Sequence, residues 1–370
     1  KIIFNPDDMN GALYNIFFPV DMFENDADKN EALEQLAFQL MPLETNMTDT
    51  SVFFLTEGRK ILTAAMITYY HQGMDFPQIC KRIISSSWST LFSEIDQNGN
   101  YEAKQYINSF EGTNEKNIAG CKQACDSALK LFATNSHVYN AIGREREGKE
   151  AFTPEQLENK NIFILIQDSK LELYEPLVHI ITAQCMEYFS NRDNNNQHTI
   201  LMCLDEFASF GHLEITPALR KLRKKHVRIM VLTQSLADID LIYGRDERMA
   251  MLNNFAYKIV LGCSDSDTQE YFSRLIGEKE VYRKAVSKNG KQVTNTKTEV
   301  KERIVPPAEL ARLGRHMILL AEGKYYKLTK NYYFELDFWD RVKKCINNLS
   351  RIQEEDFSEK NTLSLTDENK

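Results

Sequence analysis

The stretch His198 to Gly211, HTILMCLDEFASFG, constrains this chain more than any other. An apolar, strand-forming run ends there in Asp205-Glu206, and a second run, Val227 to Leu232, ends in Thr233-Gln234-Ser235. Short apolar strands separated by helical segments predict a largely parallel sheet with helices on both faces. Ligands of such sheets bind beyond the C-terminal ends of the strands. Two carboxylates and an amide at neighbouring tips suit nucleotide hydrolysis: Asp205 orients a magnesium ion, Glu206 polarises the attacking water, and Gln234 senses the terminal phosphate. Plainer accounts exist for each group. Paired acids can simply cap a loop, and Ser235 with Asp238 has the spacing of a helix N-cap and its returning acid. No G-x-x-x-x-G-K-[ST] occurs in the 370 residues. That loop is what cradles the phosphates, so the chain reads as a nucleotide-binding domain without its first element.

The rest of the chain sorts by hydrophobic period. Lys1 to Asn5 reads as a strand closed by Pro6-Asp7-Asp8, and Asn10 to Phe23 as an irregular, aromatic-rich segment draped over a surface. From Asp28 apolar residues recur at three and four, as they do again over Thr50–Tyr70, Phe76–Ile84, Trp88–Phe92 and Asn114–Phe132. This spacing predicts a compact helical domain over residues 26–145. Strands alternate with helices only afterwards: Ile162–Gln167, Thr199–Leu204, Val227–Leu232, Tyr257–Leu261 and His316–Ala321, with helices Tyr174–Phe189, Glu214–Lys225, Asp238–Leu241 or a little beyond, and Asp265–Ile276. The helical domain is therefore expected as an insertion, with Lys1–Asn5 sharing a sheet with the later strands. The divisions expected are 1–25, 26–145, 146–338 and a tail at 339–370, polar and charged from Gln353 onward.

Charge and cysteine content narrow the function classes. A net charge of -8 argues against a broad basic surface, although a local patch or a pore lined with Lys and Arg is compatible with it. One such patch is the helix and strand carrying Arg220, Lys221, Arg223, Lys224, Lys225 and Arg228. A solvated helix face accounts for most of these charges. A ring ATPase, however, takes an arginine finger from its neighbour, and Arg220 or Arg223 suits that role, with Lys258 as a weaker alternative. The second patch runs from Arg283 to Arg303, with Lys284, Lys288, Lys291, Lys297 and Lys301 against Glu299 and Glu302, around the hairpin signal Asn289-Gly290. It suits sequence-independent binding of phosphates, or else a charged ribbon that resists pairing with others. The scattered cysteines lack metal-ligand spacing, and Cys185 and Cys203 read as small core residues. No apolar run approaches the length of a membrane span. The chain reads as soluble and as starting inside a domain.

LDEFASFGHLEITPALRKLRKKHVRIMVLTQSLADIDLIYG, NNFAYKIVLG and SDSDTQEYFSRLIG together resemble the coupling ATPases of conjugation and type IV secretion, the TraG/TraD/VirD4 type. Phe4-Asn5-Pro6, Leu13-Tyr14-Asn15 and Pro306–Ala321 are similar to flanking segments of that family, so the resemblance covers about residues 1–335. It implies an α/β fold, a RecA-like P-loop NTPase core with a mostly parallel sheet plus an inserted all-α domain. It also implies ATP and Mg2+ in the full-length protein, a membrane-anchored homo-hexamer, and a place on the cytoplasmic face of the bacterial inner membrane. The expected activity is delivery of relaxase-bound single-stranded DNA to the secretion channel, the all-α domain receiving relaxosome proteins. The family's phosphate loop and membrane segment are missing from these residues, as they would be in a fragment that begins downstream of them and is inactive alone. A septal-type DNA translocase, or a non-catalytic adaptor that recruits relaxase, is the alternative.

Overall fold

The computed structural model describes residues 1–43, 47–146, 149–195, 198–289, 292–332, 335, 340 and 343–344, with the backbone alone at 150, 284–289 and 292–296. Its residues form two compact units, Lys1–Phe255 and Ala256–Lys370.

In the first unit the order is β1 (Ile2–Phe4), β2 (Leu13–Tyr14), α1 (Phe18–Asp21), then seven helices in succession. These are α2 (Asp26–Leu40), α3 (Asp49–His71), α4 (Phe76–Ser85), α5 (Trp88–Asn98), α6 (Tyr101–Asn108), α7 (Glu115–Thr134) and α8 (Ser136–Ala141). Their starts are set locally. Asn25, Thr48, Ser87, Asn100 and Asn114 each accept a backbone N–H of the first turn, and Asp75 forms a capping box with Gln78. Leu33, Leu36, Ile61, Ala65, Ile79, Cys125, Leu129 and Phe132 are buried between the helices, so the helical stretch has a core of its own, and no strand lies within it among the described residues.

The chain then returns through β3 (Glu145–Arg146), β4 (Lys149–Phe152), β5 (Ile162–Ile164), α9 (Leu171–Ser190), β6 (Ile200–Leu204), α10 (Ile215–Leu222), β7 (Val227–Val231) and α11 (Leu236–Asn254). β1 pairs in parallel with β5, Ile3 opposite Phe163, which confirms that the helices loop out between paired strands. β6 pairs in parallel with β7, Leu204 opposite Val231. The two pairs are separate two-stranded sheets rather than one.

Two expectations need correction. Residues 10–23 do not drape over a surface. β2 pairs with β4, Tyr14, Ile16 and Phe17 are fully buried, and the Tyr14 hydroxyl donates to Gln184 Oε1 at 2.6 Å while Gln184 Nε2 donates to the Ile16 carbonyl at 2.9 Å. Nor are the strands covered on both faces among the described residues. Ile200, Leu204 and Val227 are buried, whereas Leu201, Cys203 and Met230 on the opposite face are exposed, as are Ile3 and Phe163. Cys203 is therefore not a core residue, unlike Cys185, which is buried.

The second unit holds β8 (Tyr257–Val260), α12 (Ser266–Ile276), β9 (Glu278–Asn289), β10 (Gln292–Arg303), α13 (Pro307–Leu310), β11 (His316–Ala321) and β12 (Lys324–Thr329). Here the pairing is antiparallel: β12-β11-β8 form one sheet, and β9 with β10 a long ribbon. The sheets are thus mixed where the sequence suggested mostly parallel ones. The expected tail from Gln353 lies outside the described residues.

Candidate functional site

Parallel pairing brings the tips of β6 and β7 to the same edge. The ladder continues one step beyond the strands: Leu232 N donates to the Leu204 carbonyl at 2.9 Å, and Phe207 N to the Leu232 carbonyl at 3.0 Å. Asp205 and Glu206 turn outward between those bonds. Glu206 has φ 49° and ψ 51°, the left-handed region that a side chain with Cβ adopts only when its surroundings impose it. That turn aims its carboxylate at the β7 tip, where Gln234 Nε2 donates to both Glu206 oxygens, at 3.2 and 3.3 Å. Asp205 Oδ1 accepts the Glu206 N–H at 3.1 Å, and its side chain is exposed with no ion pair among the described residues. Partial desolvation and the neighbouring Asp205 carboxylate push the pKa of the largely exposed Cys203 thiol up.

Ser235 and Asp238 form a capping box that starts α11, Ser235 Oγ accepting Asp238 N and Asp238 Oδ2 accepting Ser235 N, each at 3.1 Å. Capping occupies Ser235 and leaves the preceding amide of Gln234 free to face Glu206. The cap predicted at Ser235 is therefore present, and it does not engage the Gln234 side chain. α11 runs to Asn254, further than its apolar pattern suggests, with a break at Gly244, φ 72°.

The far end of the acidic loop is pinned from below. Gly211 sits at φ 67°, and a Cβ there would collide with the Glu175 carboxylate. His179 Nδ1 lies 3.1 Å from the Phe210 carbonyl, and burial lowers the His179 pKa. His212 Nε2 lies 3.1 Å from Glu247 Oε2. Tyr243 bridges the loop: its hydroxyl accepts the Leu213 N–H at 3.1 Å and donates to the Gly211 carbonyl at 3.3 Å. Sequence spacing gives no hint of His179, Tyr243 or Glu247. Their one signal is the aromatic-glycine step Tyr243-Gly244, on a helix whose pattern fades after Leu241.

Arg220 and Arg223 lie elsewhere, at the C-terminal end of α10 and just past it, exposed and without a hydrogen bond to Asp205, Glu206 or Gln234. Cations at that end complement the helix dipole. Lys258, on β8 of the second unit, is half-buried and its pKa is lowered by burial.

The basic stretch forms the β9–β10 ribbon. Arg283 is paired with Glu302 and Arg303 with Glu270 and Glu278, while Lys297 Nζ lies 4.2 Å from the centre of the Tyr282 ring. The register sets Lys284 opposite Lys297 and Lys288 opposite Val293. Lys291 lies outside the described residues, as do the side chains of Lys284 and Lys288. Among the described residues, no cluster of His, Cys, Asp and Glu could hold a metal by itself, and no helix is long and apolar enough to cross a membrane.

Residues 2–360 match the family model described as "Type IV secretory system Conjugative DNA transfer". The chain belongs to this family. Among the proteins it resembles are VirD4 of Agrobacterium fabrum, 21% identical over 267 residues, and VirD4 of Rhizobium radiobacter, 24% identical over 195. These matches take in 69% and 51% of this chain but only 39% and 28% of those proteins. The chain thus spans well under half the length of these relatives. In fold it is similar to the conjugative coupling protein TrwB, without its first 70 residues and unbound, at 23% identity and a TM-score of 0.69 over 89% of this chain and 73% of that one. TrwB in complex with ADP and Mg2+ gives 21% identity and a TM-score of 0.65, over 90% of this chain and 74% of that one. The RecA-like α/β architecture with a helical insertion is shared with these structures.

Proposed function

We propose that the full-length protein is a coupling ATPase that moves single-stranded DNA, with its relaxase, into a type IV secretion channel. The observation that supports this most is the pairing of Glu206 with Gln234 at the common edge of two parallel strands. In this reading Glu206 takes the proton of the attacking water, and Gln234 orients Glu206 while reporting on the terminal phosphate. Asp205 is the residue that would hold Mg2+, which supplies positive charge against the phosphate oxygens. An exposed lone carboxylate fits that ion, which takes few protein ligands and keeps several waters and phosphate oxygens. TrwB has been solved with ADP and Mg2+ and with the ATP analogue ADPNP, and the shared fold supports ATP as the nucleotide here.

The finer assignments follow from the same reading. A homo-hexamer would bring Arg220 or Arg223 of one subunit to the nucleotide of the next. The ribbon cations Arg283, Lys284, Lys288, Lys291 and Lys297 would touch DNA phosphates without reading bases. The helical stretch would receive relaxosome proteins, and an anchor elsewhere in the full-length protein would hold the ring at the cytoplasmic face of the inner membrane, against the channel components.

Complementation tests the proposal. Cells whose only copy of the protein carries Glu206→Gln should transfer DNA to recipients at a frequency lower by orders of magnitude, with normal protein level and membrane fractionation. Transfer at the wild-type frequency would favour the adaptor alternative, in which the chain recruits relaxase without hydrolysis.

A further inference from the structure

Glu206 occupies a backbone conformation that nothing in its own side chain favours. Its neighbours on the strand side restrain it through the Leu232–Leu204 and Phe207–Leu232 hydrogen bonds. The loop that follows restrains it from the other side. Phe207 is fully buried, and its ring stacks on Tyr243 with centroids 5.5 Å apart and planes 10° from parallel. The His212 ring lies on the same tyrosine at 4.8 Å. The Tyr243 hydroxyl, itself buried with the residue, engages the backbone on both sides of His212, at Gly211 and Leu213. Residues 207–213 thus close around one side chain.

That side chain belongs to α11, whose N-cap Ser235 directly follows Gln234. The uninterrupted part of α11, from its capping box to the break at Gly244, carries Tyr243 at its end. Residues 234–243 therefore meet the acidic loop twice, through Gln234, just before the cap, beside the Glu206 carboxylate and through Tyr243 at the end of the unbroken helix. A shift of Tyr243 would release Phe207, and with it the turn at Glu206.

We infer that Tyr243 is a positioning residue for the reaction: it holds the Asp205–Gly211 loop so that Glu206 faces Gln234 and the water site. The inference rests on the reading of Glu206 as the base. Tyr243→Phe keeps the stacked ring and removes the two backbone hydrogen bonds. Tyr243→Leu removes both.

The test uses the full-length protein, with ATP turnover and affinity for a non-hydrolysable ATP analogue measured side by side in wild type, Tyr243→Phe, Tyr243→Leu, Glu206→Gln and the Tyr243→Phe/Glu206→Gln double variant. Tyr243→Phe should lower kcat about tenfold, as expected when two backbone hydrogen bonds that align the loop are lost, and leave KM and analogue affinity within about twofold. Tyr243→Leu should lower kcat further. In the Glu206→Gln background, single-turnover rates should show no additional loss from Tyr243→Phe, because both changes remove the same aligned carboxylate. An unchanged kcat in Tyr243→Phe overturns the inference, as does the same fractional loss in both backgrounds, which would mark Tyr243 as fold support alone. Normal turnover in Glu206→Gln would instead remove the base itself, a failure visible without any Tyr243 variant.

Discussion

At the scale of single residues, His179 packs against the acidic loop. Its Nδ1 meets the Phe210 carbonyl, and burial depresses its pKa below the ordinary 6.5. The sign follows from proton counting: below about pH 6.5 the unfolded chain takes up a proton that the folded one resists, so stability falls as the pH drops from about 6.5 toward the folded pKa and is unaffected above about 6.5. His179→Gln, which cannot titrate, should lose less stability between pH 7.5 and pH 5.5 than wild type. Urea unfolding at the two pH values measures this, and identical losses in both proteins would remove His179 from the pH response. The residues that ring the loop were largely illegible in the sequence. Asp205, Glu206 and Gln234 announce themselves because each ends an apolar run. Tyr243 and His179 reach the loop from helices some thirty residues away in the chain, 32 for Tyr243 with Gly211 and 31 for His179 with Phe210, and no local period encodes an interaction of that kind.

At the scale of elements, hydrophobic period disclosed what local physics determines. α2, α3, α4, α5 and α7 follow their three-four spacing and their caps, with Ser86 and Ser87 separating α4 from α5, whereas α6 and α8 were not apparent in the spacing. Shorter elements escaped. β2 and β4 are two and four residues long, too short to show an alternation, so a buried aromatic segment resembled a loose one. The strands β6 and β7 misled in the opposite sense. A continuous apolar run is the pattern of a strand covered on both faces, yet Leu201, at 61% exposure, shows one face open.

The ribbon carries its own prediction. At its base, cations are matched by acids, as Arg303 is by Glu278 and Glu270, but further along the register sets Lys284 against Lys297. Like charges directly opposite one another destabilise a ladder, and an anion between them relieves that cost. Changing Lys284, Lys288, Lys297 and Lys301 to Gln in the full-length protein should weaken single-stranded DNA binding. It should also flatten the log–log salt dependence by about 0.7 for each phosphate that is no longer neutralised. Salt titrations with an unchanged slope would leave the ribbon as a hairpin without a DNA role.

At the scale of the whole molecule, an arginine finger would come from a neighbouring subunit. Neither Arg220 nor Arg223 reaches Glu206 within the chain, and both are exposed, as a residue must be to serve a neighbour. If one of them is the finger, its Ala variant should lose about a thousandfold in turnover while still binding nucleotide. Mixing that variant with Glu206→Gln subunits should restore measurable turnover, because some interfaces then pair an intact Glu206 with an intact arginine. No recovery from either mixture would exclude both residues as fingers.

The most direct test of the central claim is ATP turnover by the full-length protein measured alongside nucleotide binding, for wild type and Glu206→Gln. Glutamine preserves size and can still hydrogen-bond to Gln234, but it cannot take a proton. Turnover should fall by about two to four orders of magnitude, with affinity for Mg2+-ATP within a few-fold of wild type. Turnover equal to wild type, with single-stranded DNA present, would contradict the assignment of this strand-tip site as the hydrolytic centre.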